Sequence, residues 1–333
     1  MKFAYALYIR TTKKLFRFDT MLRLTLMDAT LVDYYIGLET GGTNIKCYLA
    51  RDPNHVISQL SIQTQDPQST IDQVIHFIQA GIEKYKVNIA AMGIGSFGPV
   101  DLDPSSTTYG SITSTPKLAW RNFPLLDKFR SVFNFPIAFD TDVNAALLGE
   151  ARWGAGIGFS DLVYVTVGTG IGGGILSNNQ LVHGIVHTEL GHMLVNHNLR
   201  QDPFEGSCPY HKNCLEGLAA GPAIQARWGI QAHKIPGDHQ AWLLEAHYLA
   251  QMAVNLTVML SPQRIILGGG ICQQPGLIEM VRLRFKDLLN GYVQSQFYDE
   301  KIDSYIVAPM LGNNAGILGT IALARTLSIM EEQ

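Results

Sequence analysis

Two β-hairpins, each closed by a glycine-rich turn and each followed by alternating strand and helix patterns, constrain this chain more than any other feature. The first pairs Tyr34–Leu38 with Asn44–Ala50 across Glu39-Thr40-Gly41-Gly42-Thr43. The second sets Leu162–Val167 against Ile175–Leu176 across the run Gly168-Thr169-Gly170-Ile171-Gly172-Gly173-Gly174. Behind the first hairpin, Ile71, Val74, Ile75, Ile78 and Ile82 fall at spacings of three and four, so Ser69–Tyr85 reads as an amphipathic helix with Ser69 or Thr70 as its cap. A buried strand Ile89–Ile94, a helix Phe123–Phe133, a strand Ile137–Phe139 and a helix Val143–Arg152 follow. Behind the second hairpin come a helix Gln240–Leu260, a strand Ile265–Leu267, a helix Leu277–Asn290, a strand Tyr305–Ala308 and a helix Ala315–Leu327. A repeated order of hairpin, then strand and helix, implies two related α/β domains facing a cleft.

A chain of 333 residues with 47% hydrophobic and 16% charged residues can bury cores for two such domains. Its net charge of −3 provides no basic stripe for a nucleic-acid backbone or an anionic membrane surface, so a small substrate is favoured. Apolar runs fall short of the ~18 to 20 residues that span a bilayer. Met1–Asp33 lacks a continuous apolar segment and a small-residue cleavage site, so it is expected to be an extension outside the fold, with Met21 or Met27 as alternative starts. The four cysteines, Cys47, Cys208, Cys214 and Cys272, are too few for a disulfide scaffold and suit a reducing, cytoplasmic compartment.

Both turns have the parts of a phosphate cradle. Gly41 and Gly42 let backbone N–H groups approach an anion, Thr43 adds a hydroxyl and Lys46 adds charge, although a hairpin turn asks for glycines on its own account. The five glycines among Thr166–Gly174 exceed what turn chemistry needs, so Gly168, Thr169, Gly170 and Gly172 are expected to bind phosphate. Gly93-Ile94-Gly95-Ser96-Phe97-Gly98 matches the dinucleotide fingerprint, yet Pro99 and Pro104 forbid the helix that should follow. Gly93–Gly98 instead reads as a tight loop beside the substrate pocket. Gly98 and Pro116, which bound the long Pro/Gly/Ser/Thr-rich loop, are expected to border that pocket.

Asp142 lies at the carboxyl end of a strand and the start of a helix, where it can serve as a general base, as an N-cap, or as both; Asp140 and Asn144 flank it. Cys208-x2-His211-x2-Cys214 with a histidine upstream supplies four N/S ligands for a closed tetrahedral zinc site, with His192 or His197 as the fourth. Glu189 and Glu216 would both be fixed by that metal knot and could accept hydrogen bonds from substrate hydroxyls. His183 and His187 read as surface or pocket histidines.

With these residues in view, the chain resembles the ROK family of bacterial sugar kinases, most closely its fructokinase branch, over about Tyr34 to Leu327. The segments that carry the resemblance are Gly37–Thr43, Asp140–Ala146, Gly168–Gly174, Glu189–His192, Cys208–His211 and Cys214–Gly217. It implies an actin-like, hexokinase-type α/β fold of two ribonuclease H-like domains flanking a cleft: residues 34–145, completed by a C-terminal helix 311–333, and residues 146–310 carrying the zinc loop. It further implies Mg-ATP between the two turns, Asp142 as the base, Thr141, Glu189 and Glu216 on the sugar, and His192 as the fourth zinc ligand. Pro222, after Gly221, and Gly268, Gly269 and Gly270 should border the nucleoside, and members are commonly homodimers. Thr141-Asp142 and Cys-x2-His, where glucokinase-like members carry Asn-Asp and Cys-x-Cys, favour fructose. A glucose, mannose or N-acetylmannosamine kinase is the alternative. A sugar-sensing repressor is the weaker alternative, since no helix-turn-helix pattern precedes Gly37.

Overall fold

The computed structural model describes residues 33–115 and 117–330. The expected extension before the fold therefore lies outside the described residues, apart from Asp33, and so does Pro116.

The first sheet holds β1 (Tyr34–Thr40), β2 (Asn44–Ala50), β3 (Val56–Gln63), β4 (Ile89–Ser96) and β5 (Ile137–Thr141) in the order β3-β2-β1-β4-β5. The second holds β6 (Leu162–Val167), β7 (Ile171–Ser177), β8 (Gln180–Leu181), β9 (Arg264–Gly268) and β10 (Ile306–Val307) in the order β10-β9-β6-β7-β8. Each opens with an antiparallel meander and continues with parallel strands, so one topology occurs twice. β3 and β8 were not expected from the sequence. β3 lies at a sheet edge, where Ile57, Leu60 and Ile62 pack half-buried on the first core while Gln59, Ser61 and Gln63 are exposed.

Helix α1 (Pro67–Tyr85) starts two residues before the expected position, because Asp66 rather than Ser69 or Thr70 is its cap, accepting the Ser69 N–H at 3.0 Å, with Pro67 at the first helical position. Helix α2 shrinks to Leu125–Arg130 behind Pro124. The second half adds α4 (Leu215–Ala219), α5 (Gly221–Trp228), α6 (Ala241–Leu260), α7 (Leu277–Leu289) and α8 (Ile302–Tyr305).

Between the halves lie α3 (Asp142–Trp153) and the last helix, α9 (Ala315–Met330). They cross at Gly149 and Gly319, and the backbones approach so closely that a Cβ at Gly319 would sit 1.7 Å from the Ala145 carbonyl oxygen. Helix α9 also lies on the first sheet, where Gly93 leaves no room for a side chain under the Thr320 carbonyl. The fully buried Glu150 on α3 accepts the N–H groups of Ala155, Met310 and Leu311, clasping the segment that leads into α9. No helix among the described residues is long and apolar enough to cross a membrane.

Candidate active site

In-register pairing of three parallel strands sets Glu39, Gly95 and Asp140 in one row and Thr40, Ser96 and Thr141 in the next. Side chains in one row of parallel strands share a face, and at Gly95 that face has no side chain. The first turn of α3 fills the space: a Cβ there would meet Ala145 Cβ at 2.9 Å and Asp142 Cα at 3.4 Å. Asp142 and Glu39 are thereby brought to the same end of the sheet.

Thr141 caps α3, its hydroxyl accepting the Asn144 N–H at 3.1 Å, so Asp142 is not the cap but the first helical residue. The sequence had assigned Thr141 to substrate; its side chain is buried and occupied by capping. Asp140 is likewise buried, accepting from Thr141 N and Asn144 Nδ2, both at 2.7 Å, with His183 Nε2 2.9 Å away. This frees Asp142 for the cleft. Burial, with the negative charges of Glu39 and Glu189, pushes its carboxyl up to about 7, although the Val143 N–H opposes the shift.

Glu39 appeared in the sequence only as part of a hairpin turn, yet it is the second carboxylate of the site. Burial raises its pKa against the pull of Lys46. Its Oε2 has Lys46 Nζ at 3.4 Å but no well-formed hydrogen bond, and a Cβ at Gly316 would collide with Oε1. Lys46 spans Glu39 and the Asn313 carbonyl, at 2.7 Å, so it is not a free cation of the first turn. Lys117 stands there instead, its Cε within 3.4 Å of where a Gly42 Cβ would be. Gly41, Gly42 and Thr43 do form the exposed bend between β1 and β2.

The second glycine run divides in two. Gly168-Thr169-Gly170 is the turn, with open space at Gly168. Gly172, expected at a phosphate, is a β7 residue paired with Thr166. With its neighbours it lets α3 and the following loop lie against the strand: a Cβ would meet Val143 at Gly172, Leu190 at Gly173 and Asn144 at Gly174. Close packing, not anion binding, accounts for those three. The Gly221 N–H bonds the Gly168 carbonyl at 2.7 Å, which seats the first turn of α5, with Pro222, on this bend. Gly269 has φ +87° and packs on the Val167 backbone, while Gly270 faces open space. Gly268 and Gly269 line a cavity of about 570 Å³ with Cys272, Gln273, Pro309 and Asn313.

The four expected metal ligands converge: one donor atom from each of His192, Cys208, His211 and Cys214 lies within 4.8 Å of the others. Cys208 Sγ stands 3.8 Å from the Nδ1 atoms of both His192 and His211, and Cys214 Sγ stands 3.5 Å from His192 Nδ1. Zinc bonds of about 2.3 Å to sulfur and about 2.0 Å to nitrogen, at a tetrahedral angle, would separate ligand atoms by about 3.5 Å. The donor set fits zinc. His197, the competing fourth ligand, is buried on the Asp202 carbonyl at 2.9 Å instead. Cys214 is also the N-cap residue of α4, whose Glu216 accepts the Ile171 N–H at 2.8 Å. Glu216 thus ties the Cys/His cluster to the second turn. Glu189 points from the same loop with its side chain 44% exposed.

The ROK family profile matches residues 35–327. The fructokinase of Lactococcus lactis subsp. cremoris is 40% identical over 299 residues, covering 90% of this chain and 99% of that protein. The fructokinase of Pediococcus pentosaceus is 42% identical over 288 residues, covering 86% and 96%. A solved ROK family glucokinase from Streptomyces griseus, in complex with glucose and AMPPNP, is 26% identical with TM-score 0.68, covering 88% of this chain and 99% of that one. The fold is the actin-like, hexokinase-type α/β architecture.

Proposed function

The chain belongs to the ROK family, and on that footing we propose that it is a fructokinase, transferring the γ-phosphoryl group of Mg-ATP to D-fructose to give fructose 6-phosphate. The observation that carries this reading is the carboxylate of Asp142, held at the cleft end of α3 with its pKa raised to about 7, where it can take a proton from a sugar hydroxyl near neutral pH. Relatives of about 40% identity named fructokinase support the choice of sugar. A glucose, mannose or N-acetylmannosamine kinase keeps the same mechanism with a different hexose.

Phosphoryl transfer needs alignment and charge neutralisation more than covalent help. The turn Gly41-Gly42-Thr43 on one side and the turn Gly168-Thr169-Gly170 on the other face the triphosphate; Gly42, Thr43, Thr169 and Gly170 offer it backbone donors, while the Gly41 and Gly168 N–H groups close the turns on the Asn44 and Gly170 carbonyls, with Lys117 as the nearby cation. Pro222 and Gly268–Gly270 border the nucleoside. Glu39, whose buried Oε2 makes no hydrogen bond and only a 3.4 Å ion pair with Lys46, and whose charge acts on Asp142, suits the magnesium ion that ATP brings. Glu189 and Glu216 receive sugar hydroxyls, with Gly98 at the pocket border.

We assign zinc to His192, Cys208, His211 and Cys214, where it would cross-link the loop that carries both glutamates and supply no chemistry to the transfer itself. Residues 34–145 with the C-terminal helix, and residues 146–310, act as the two domains. A homodimer is supported by the exposed apolar side chains Ile185, Val186, Leu194 and Tyr210 between β8 and α4. A reducing cytoplasm suits four free cysteines.

Asp142→Asn tests the assignment. ADP release with fructose should fall by about a thousandfold or more, as for loss of a general base combined with lost alignment, while fructose binding measured by calorimetry stays within a fewfold of wild type. Turnover near the wild-type rate would refute the role.

A further inference from the structure

His187 has no part in the mechanism above, yet its side chain is buried, 6% exposed. It lies in the loop after β8, on the second-sheet side, and its ring reaches across to the first. Its Nε2 is 3.1 Å from the backbone nitrogen of Val100, a residue buried in the first core beyond β4. Its Nδ1 is 3.4 Å from Glu189 Oε1. Gly98 completes the contact: a Cβ there would stand 3.4 Å from His187 Cε1.

The Val100 contact fixes the tautomer. A backbone N–H can only donate, so Nε2 must accept, and a neutral ring then carries its proton on Nδ1, 3.4 Å from Glu189 Oε1 and one small side-chain rotation from a formed hydrogen bond. Glu189 has no other protein donor close to it among the described residues, and its side chain is otherwise open to the cleft. A glutamate with three rotatable bonds pays rotamer entropy whenever a ligand orders it.

We propose that His187 is the positioning residue for Glu189: its Nδ1–H holds one carboxylate oxygen, leaving the other for a sugar hydroxyl, and the Val100 N–H holds the imidazole. The arrangement makes sugar binding sensitive to the Gly98–Val100 segment of the first domain, because a shift of Val100 moves the ring and with it Glu189. This deepens the sugar-binding role given to Glu189 above and rests on it.

A pair of isosteric variants separates the two contacts. His187→Gln places a carboxamide where Nε2 stood, able to accept from Val100, but offers no donor at the Nδ1 position. His187→Asn places an amide donor where Nδ1 stood and gives up Val100. The KM for fructose should rise about tenfold in His187→Gln and about threefold or less in His187→Asn, with kcat and the KM for ATP within about twofold of wild type. In a Glu189→Gln background, His187→Gln should add no further rise, since the interaction it removes is already gone. Zinc content and melting temperature should match wild type.

An unchanged fructose KM in His187→Gln overturns the proposal, as do effects of His187→Gln and Glu189→Gln that multiply in the double variant. Loss of folding or of zinc in both histidine variants assigns His187 a purely architectural role and overturns it too. A wild-type protein inactive on fructose would strike the fructokinase reading itself; an active wild type with an unaltered His187→Gln strikes this proposal alone.

Discussion

Asp142 owes its chemistry to what its neighbours have already taken. Thr141 fills the capping position and Asn144 and His183 fill Asp140, so Asp142, whose Oδ1 accepts only the Val143 N–H at 2.9 Å, is left with an oxygen for the cleft. Its pKa, raised to about 7, sets a pH dependence. The base must be ionised to accept a proton, so kcat/KM for the sugar should fall about tenfold per pH unit below pH 7 and level off above it. Glu39 contributes to the shift through its charge. Glu39→Gln should therefore move the acid limb to lower pH, whatever it does to magnesium use, and a limb that stays in place or moves upward would contradict the carboxylate pairing. At this scale the sequence displays Asp142 through its place between strand and helix, and the metal ligands through their spacing. It hides Glu39, Lys117 and His187, whose partners Gly316, Gly42 and Val100 lie 277, 75 and 87 positions away by difference of residue numbers. It also misleads at Lys46, because a cation two residues past a glycine turn in sequence is carried off along β2 to Asn313.

Among the elements, the zinc loop and α4 form one mechanical unit. Cys214 begins the helix whose next residue but one, Glu216, grips Ile171 at the exit of the second glycine turn. The proposed metal-ligand bonds would order a segment that otherwise has little regular structure, so chelation should loosen both ends of that unit together. We expect about one equivalent of zinc per chain by elemental analysis. Stripping it should lower kcat/KM for fructose by about tenfold or more and broaden thermal unfolding; a metal-free protein with wild-type melting and activity would contradict the assignment. Long apolar-periodic elements such as α1 and α6 were readable from the sequence because their faces repeat at helical spacing. The boundary between turn and strand in Gly168–Gly174 was not, since a glycine that frees backbone for an anion and one that admits a packed helix are the same letter. Only the side chains of Val143, Asn144 and Leu190 tell them apart.

Across the whole molecule, two sheets of identical strand order meet through α3 and α9, and the joint is held by Glu150. Three backbone N–H groups, one following α3 and two before α9, converge on that carboxylate, which is wholly buried. Glu150→Ala would leave them without an acceptor and open a cavity, a loss of about 3 kcal/mol or more in urea unfolding; a change below about 1 kcal/mol would show that the clasp is dispensable. The duplicated topology was legible because each half opens on a glycine-turned hairpin. That the last helix returns to pack on the first sheet was not readable from periodicity, since nothing in the apolar pattern of α9 names its partner; the family resemblance alone implied it. At this scale the proposed function is the transfer of phosphate from ATP to fructose in the cleft. The most direct measurement is ADP release with fructose, mannose, glucose and N-acetylmannosamine side by side at saturating Mg-ATP. It should give the highest kcat/KM with fructose and a product phosphorylated at the 6-hydroxyl by phosphorus NMR. ADP release that no sugar stimulates, or a clear preference for another hexose, would contradict it.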